Sequence, residues 1–286
     1  MVFQDSGPSE DCLFLNVYAP ADASSKSGLP VMFWIHGGGN EAGSASEPRH
    51  DGDFLPTKGV VLVTINYRLD IFGFLTTTDL AKEAGEAAGN YGLMDMVAAL
   101  QWVKGNIPEF GGDPGNVTIF GESAGSSAVS TLMAAQPARG LFQKAIGESG
   151  GALNVGSFGP EELAEREKQG QLWVESLGTA HWPNYALCRR KRFLPAAAAK
   201  GAPRFWVVVD GRLLTEPVAD TYAAGKQAHV PLLAGWNRDD VGPPGLHDET
   251  VVQWKAQAAK RFGDRAESVS AVYPGENGPA SDAVFT

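Results

Sequence analysis

Asn116-Val117-Thr118-Ile119-Phe120-Gly121-Glu122-Ser123-Ala124-Gly125, with the run SSAVSTLMAA that carries on to Ala135, decides the fold. NVTIF is short, apolar and rich in β-branched residues, and it predicts a buried strand. Ala124–Ala135 has the length and the small, apolar composition of a packed helix. Between them Gly121, Ser123 and Gly125 spell G-x-S-x-G, in which a serine sits on a strained strand-to-helix turn with its hydroxyl exposed at the sheet edge. The glycines let the two backbones come close, and the helix dipole favours negative charge developing beside the serine. The pattern recurs at Gly147–Gly151, but Ser149 runs into GGALNVGSFG with no helix start and reads as a packed turn serine.

A second element lies upstream. His36-Gly37-Gly38-Gly39 directly follows the apolar run VMFWI. Consecutive glycines there let backbone N–H groups approach an oxyanion, and the Ala124 N–H adds a further donor. Taken alone, either stretch is also what a Gly-rich turn looks like. Together, and in this order, they are two halves of acyl-transfer chemistry.

Working outward, apolar runs at Leu13–Tyr18, Val31–Ile35, Val60–Tyr67, Val117–Phe120, Phe205–Val209 and Val230–Ala234 read as strands. Segments of helical length lie at Leu93–Lys104, Ala124–Ala135, Glu161–Leu177, Pro217–Ala224 and Glu249–Phe262. The alternation predicts an α/β fold with a mostly parallel central sheet covered by helices on both faces. The first strands, joined without a helix, are expected to form an antiparallel hairpin at one edge. Residues 187–203 predict a further helix with undefined ends. With 286 residues and 43% hydrophobic content, a single domain over 1–286 is expected.

The formal charge of −10 would repel a nucleic-acid backbone, so nucleic acid is not expected as a partner. The longest apolar runs fall far short of a membrane span, and no membrane span is expected. The start of the chain shows no secretory signal, which favours a cytoplasmic location unless a longer N-terminus precedes it. Cys12 and Cys188 lack metal-ligand spacing, and no metal or organic cofactor is implied.

These residues resemble the type-B carboxylesterases, the cholinesterase-like branch of the α/β-hydrolases. The resemblance rests on EDCLFLNV (Glu10–Val17), HGGGN followed by GSAS, NYRL (Asn66–Leu69), GNYGLMD (Gly89–Asp95) and FGGDPGNVTIFGESAG (Phe110–Gly125). It implies that Ser123 is the acylated nucleophile, that Gly38, Gly39 and Ala124 form the oxyanion hole, and that Glu122 supports the site electrostatically. The partner it implies is a small carboxylic ester. Arg68 and Asp95 are expected to form a buried structural pair. Asp240, in GWNRDD, stands where the family usually has the Glu that orients the catalytic histidine. Asp70 stands where Gly is common, and Asn40 where an aromatic is frequent. Trp236 and Phe72 suggest an apolar pocket.

The family's histidine, which follows the acid in a glycine-rich setting, has no counterpart here. Of His36, His50, His181, His229 and His247, His247 alone keeps the order Ser, Asp, His. The resemblance therefore implies a chain shortened at both ends, lacking an N-terminal segment with the usual partner of a cysteine like Cys12. Two functions stay open at this point: a serine ester hydrolase, or a catalytically silent binding or adhesion module on the same fold.

Overall fold

The computed structural model describes residue 9 and residues 11–84, 88–153, 161–178, 196–197, 199, 202–237 and 251–272. It divides into two compact units, Met1–Ala234 and Gly235–Thr286. The first is built on a sheet of β1 (Leu15–Tyr18), β2 (Leu29–Ile35), β3 (Val61–Ile65), β4 (Gly112–Glu122), β5 (Lys144–Glu148) and β8 (Leu232–Gly235), in the order β1-β3-β2-β4-β5-β8. β2 pairs in parallel with β3 and β4, and β4 with β5.

β1 is antiparallel, as expected of an edge, but its partner is β3, with Leu15 opposite Ile65. The expected hairpin between consecutive strands does not form, because β2 inserts between β3 and β4 and so has no edge left for β1. The run at Phe205–Val209 is likewise not part of the main sheet. Only β7 (Val208–Val209) is strand, and it pairs with β6 (Glu161–Glu162) in a separate two-stranded ribbon. The 187–203 segment lies almost wholly outside the described residues.

All five residues of β3 are buried, as are Phe33 and Ile35 of β2 and Val117 and Ile119 of β4. Strands covered on both faces need continuous apolar runs, and these stretches supply them. The helices of this unit are α1 (Asp70–Phe74), α2 (Thr78–Ala84), α3 (Tyr91–Asn106), α4 (Ala124–Ala134), α5 (Leu163–Ser176) and α6 (Val218–Ala223). Met96, Leu100 and Val103 of α3 and Val129 and Leu132 of α4 are fully shielded from solvent and join one continuous core with the strands. The short α1 and α2 carry no long apolar period, and sequence patterning did not foresee them. In the second unit α7 (Val251–Phe262) and α8 (Ala266–Val272) share a small cluster around Trp254 and Ala258. Among the described residues no helix is long and apolar enough to cross a membrane.

One close approach positions everything at the C-terminal edge of the sheet. Ile35 of β2 stands opposite Gly121 of β4. A Cβ built on Gly125 would lie 2.1 Å from the Ile35 carbonyl oxygen, and one on Gly121 would lie 2.7 Å from the same atom. The first turn of α4 therefore rests directly on the end of β2, which leaves no space for a side chain at either position. Gly→Ala inside a helix ordinarily stabilises by up to about 1 kcal/mol. Gly125→Ala is expected to do the reverse and cost roughly 2–3 kcal/mol in urea unfolding, because backbone rather than a movable side chain blocks the new methyl.

Candidate active site

The loops that follow β2 and β4 leave the sheet side by side, because the two strands are neighbours and run in parallel. Crevices at the carboxyl ends of such strands are where open α/β sheets bind ligands. Ser123 caps α4 with φ 55° and ψ −118°, a conformation that side-chain-bearing residues rarely adopt. Its N–H donates to the Glu148 carbonyl at 2.9 Å, and its carbonyl accepts from the Ser127 N–H at 3.0 Å, so the strained turn is held from both sides. Ser149 also has positive φ, at 50°, but no helix follows it in the described residues.

Gly37 lies against the Ser123 turn. A Cβ there would stand 3.1 Å from the Ser123 Cβ and 3.0 Å from a Glu122 carboxylate oxygen. Gly38 and Gly39 follow with φ of 107° and 67°. The Gly38 carbonyl accepts from the N–H groups of Glu41 and Ala42, both at 3.1 Å, which closes the loop into a tight turn. Ala124 is buried at the start of α4. The structure thus brings Ser123, Glu122, Ala124 and the Gly37–Gly39 loop together at one place. Asp240, His247 and His181 lie outside the described residues. His229 is exposed, with its ring against the Gly225 carbonyl at 2.9 Å. Among the described residues no histidine hydrogen-bonds the Ser123 hydroxyl.

The glycine loop is braced by side chains to which sequence reasoning assigned no such role. His36 is fully buried, and its Nδ1–H donates to the Gly37 carbonyl at 2.8 Å. Tyr67 stacks on its ring at 4.4 Å between centroids and donates its hydroxyl to the His36 carbonyl at 2.8 Å. Asn66 accepts the Ala45 N–H at 2.8 Å. The NYRL stretch is therefore scaffolding for this loop, and the motif was the only signal available for it. Its Arg68 meets Asp95 as expected, but only Asp95 is buried, the Arg68 side chain being partly exposed. One Asp95 oxygen accepts from the Arg68 main-chain N–H at 3.0 Å and from Nε at 2.8 Å, the other from Nη2 at 2.7 Å. Asp95 also joins burial in pushing up the Cys12 thiol, which is free.

Further round the loop, Asn40 and Asp70 both have positive φ, at 59° and 50°, and the Asp70 N–H donates to the Asn40 carbonyl at 2.6 Å. The Asn40 side chain is buried beside Ser127, Thr131 and Trp206 in a small cavity. Asn90 holds the main chain of Val208 in both directions, at 2.8 and 3.0 Å, and so fixes the segment that carries Trp206. The expected apolar pocket is not evident from the two residues that suggested it. Phe72 packs on the core, and Trp236, in the second unit, is 57% exposed. Among the described residues no cluster of His, Cys, Asp or Glu could hold a metal ion.

Strand order, the serine turn and the adjoining glycine loop define an α/β-hydrolase. A sequence model of the carboxylesterase family matches residues 1–257. The chain belongs to the carboxylesterase family. It is 39% identical to the fumonisin B1 esterase of Sphingopyxis macrogoltabida over 273 residues, covering 94% of this chain and 50% of that protein. It is 40% identical to the para-nitrobenzyl esterase of Bacillus subtilis over 241 residues, 81% of this chain and 47% of that one. Among solved structures, the Geobacillus stearothermophilus carboxylesterase at pH 6.2 superposes with a TM-score of 0.79 at 33% identity, over 99% of this chain and 61% of that chain. The chain spans about half the length of the curated relatives it matches.

Two buried groups make stability depend on pH in opposite senses. Burial lowers His36 from 6.5 to about 4, against the Gly37 carbonyl that favours its charged form. The unfolded chain then takes up a proton between pH 6.5 and 4 that the folded chain refuses, so stability falls as pH falls through that window, by about 3 kcal/mol at most. Urea unfolding of His36→Gln should show a flatter slope there than the parent chain.

Asp70 is raised to about 6, chiefly by burial and then by the nearby Glu41 carboxylate. The folded chain keeps a proton between pH 4 and 6 that the unfolded chain has lost, so stability falls as pH rises through that interval. Asp70→Asn should therefore stabilise by roughly 1 kcal/mol at pH 8, allowing for the partial exposure of the group, and make no difference at pH 4.

Proposed function

We propose that this chain carries the acylating half of a serine carboxylic-ester hydrolase. The observation that carries the reading is Ser123 at φ 55° on the β4–α4 turn, with the Gly37 backbone packed against its Cβ. Membership of the carboxylesterase family supports it. The Ser123 hydroxyl adds to the ester carbonyl, forming the Oγ–C bond. The N–H groups of Gly38, Gly39 and Ala124 stabilise the negative oxygen of the tetrahedral intermediate, aided by the N-terminal dipole of α4. Collapse breaks the bond to the alcohol, which leaves with the proton that Ser123 gave up. Water then repeats the addition on the acyl-enzyme and releases the acid.

An imidazole takes and returns these protons in this reading, oriented by Asp240. Asp is one methylene shorter than Glu, so the acid loop has to approach the imidazole more closely than it does in the family pattern. Neutral His36 is not this base: its Nδ1–H is committed to Gly37, and its role is to hold the loop that binds the oxyanion. Glu122 contributes a carboxylate beside Gly37 that favours a cationic imidazole.

The test follows p-nitrophenyl acetate hydrolysis beyond one equivalent per chain, beside labelling with a fluorophosphonate probe. Ser123→Ala should lose the label on the Ser123 peptide and at least roughly 10³-fold in turnover. Equal rates in the two proteins, with no label on Ser123, would sink the reading and leave the silent binding module. Label without turnover would mean that the nucleophile and oxyanion loop operate while the base is missing from this chain.

A further inference from the structure

Asn40 follows Gly39 directly and is 3% exposed, yet its Oδ1 has no hydrogen-bond partner among the described residues. An amide oxygen buried without a partner is unfavourable, and folded proteins rarely keep one. Asn40 lines a partly open cavity of about 10 Å³, enough for one water-sized group. Ser127 and Thr131 of α4 share that lining, beside the apolar Leu93 and Val207. Both hydroxyls already commit their hydrogens. Ser127 Oγ donates to the Gly151 carbonyl at 3.2 Å, and Thr131 Oγ1 to the Ser127 carbonyl at 2.8 Å. Three side-chain oxygens of the lining are thus acceptors with no hydrogen to offer. The cavity also adjoins the Ser123 turn. Ser127 lies one helical turn past Ser123 on the same side of α4, and its N–H bonds the Ser123 carbonyl at 3.0 Å. Among the residues that line the cavity Ser127 alone is not buried, so the open side lies at the Ser123 end.

We propose that this cavity receives a hydroxyl on the acyl portion of the substrate, which donates its hydrogen to Asn40 Oδ1, so that the ester taken at Ser123 is a hydroxyacyl ester. This rests on the serine-hydrolase reading above and specifies its substrate class. The ligand has to bring the hydrogen, because the three oxygens around it only accept. A methyl in the same place leaves Oδ1 unpaired, and a site that buries a polar group discriminates strongly against ligands that lack its partner. A ketone oxygen meets Oδ1 acceptor to acceptor. An ammonium brings hydrogens as well, but among the described residues no carboxylate lines the cavity to offset a buried charge. The Asn40 main chain is fixed by the Asp70 N–H on its carbonyl at 2.6 Å, which holds the amide in place. The acyl portion is the part that reaches it, because it stays on Ser123 through both half-reactions, whereas the alcohol leaves after the first.

The experiment uses aryl alkylphosphonates of increasing chain length, each made with a terminal hydroxyl and with a methyl in its place. They modify a reactive serine by forming an Oγ–P bond as the aryl oxide leaves, so deacylation is not needed. Rates at Ser123, followed by the mass of its peptide, are taken as the hydroxyl-to-methyl ratio within each variant, so loss of folded protein lowers both rates and leaves the ratio intact. The full chain should favour the hydroxyl probe by roughly tenfold at one chain length. Asn40→Gly removes the amide and suits the backbone at φ 59°, and it should bring that ratio below one. Asn40→Asp keeps an acceptor oxygen in place and should hold the ratio above one. The proposal is overturned by a parent ratio of one or less at every length, by a ratio that Asn40→Gly leaves unchanged, or by one that Asn40→Asp loses as fully as Asn40→Gly. In each of those cases labelling by the methyl probes keeps the serine-hydrolase reading standing. Failure of every probe on the parent chain removes that reading and the substrate class with it.

Discussion

The contact between the first turn of α4 and the Ile35 carbonyl at the end of β2 is the constraint on which the rest of this molecule depends. With only hydrogen at positions 121 and 125, two backbones meet at a distance no side chain would permit. The chain between them has to turn sharply, and Ser123 takes the strain at φ 55°. The same contact brings the loop after β2 against the Ser123 turn, because strands that pair in parallel release their loops at the same edge. The Ser123 turn and the Gly37–Gly39 loop are thus placed by one packing decision.

Strain at such a site persists only where the surroundings over-determine it. Here the determinants are mostly polar groups buried beneath the loops. Tyr67 and His36 form a stacked pair that fixes the loop carbonyls, while Asn66 ties down Ala45. Asp95 collects three hydrogen bonds from Arg68, anchoring the strand end to α3. Asn40 and Asp70 add two more left-handed residues joined backbone to backbone. His36 stays neutral because water barely reaches it, and Asp70 tends to hold its proton because it is partly buried and lies near the Glu41 carboxylate. The two groups respond to pH in opposite senses, and burial is the largest cause for both.

Ion pairing is divided by function along the same loop. Asp95 is buried and Arg68 partly exposed, and this pair serves the scaffold, whereas Arg204 and Glu41 meet across the open face of the loop. The second pair joins residues far apart in the chain, beside the Trp206 ring.

The sequence alone determined the strand–serine–helix unit, the HGGG loop and a mostly parallel sheet, because the first two are local and the third follows from alternating apolar runs and helical segments. The Arg68–Asp95 pair was legible only through the family resemblance. Periodicity could not order the strands, since an apolar run does not say which neighbour it meets. So β1 was expected against β2 and found against β3, and most of the 205–209 run stayed out of any sheet. The bracing by Tyr67 and His36, the clamp of Asn90 on Val208 and the meeting of Arg204 with Glu41 were decided by tertiary structure alone. These contacts join residues up to 163 apart in the chain, and nothing in local sequence encodes a distance of that kind.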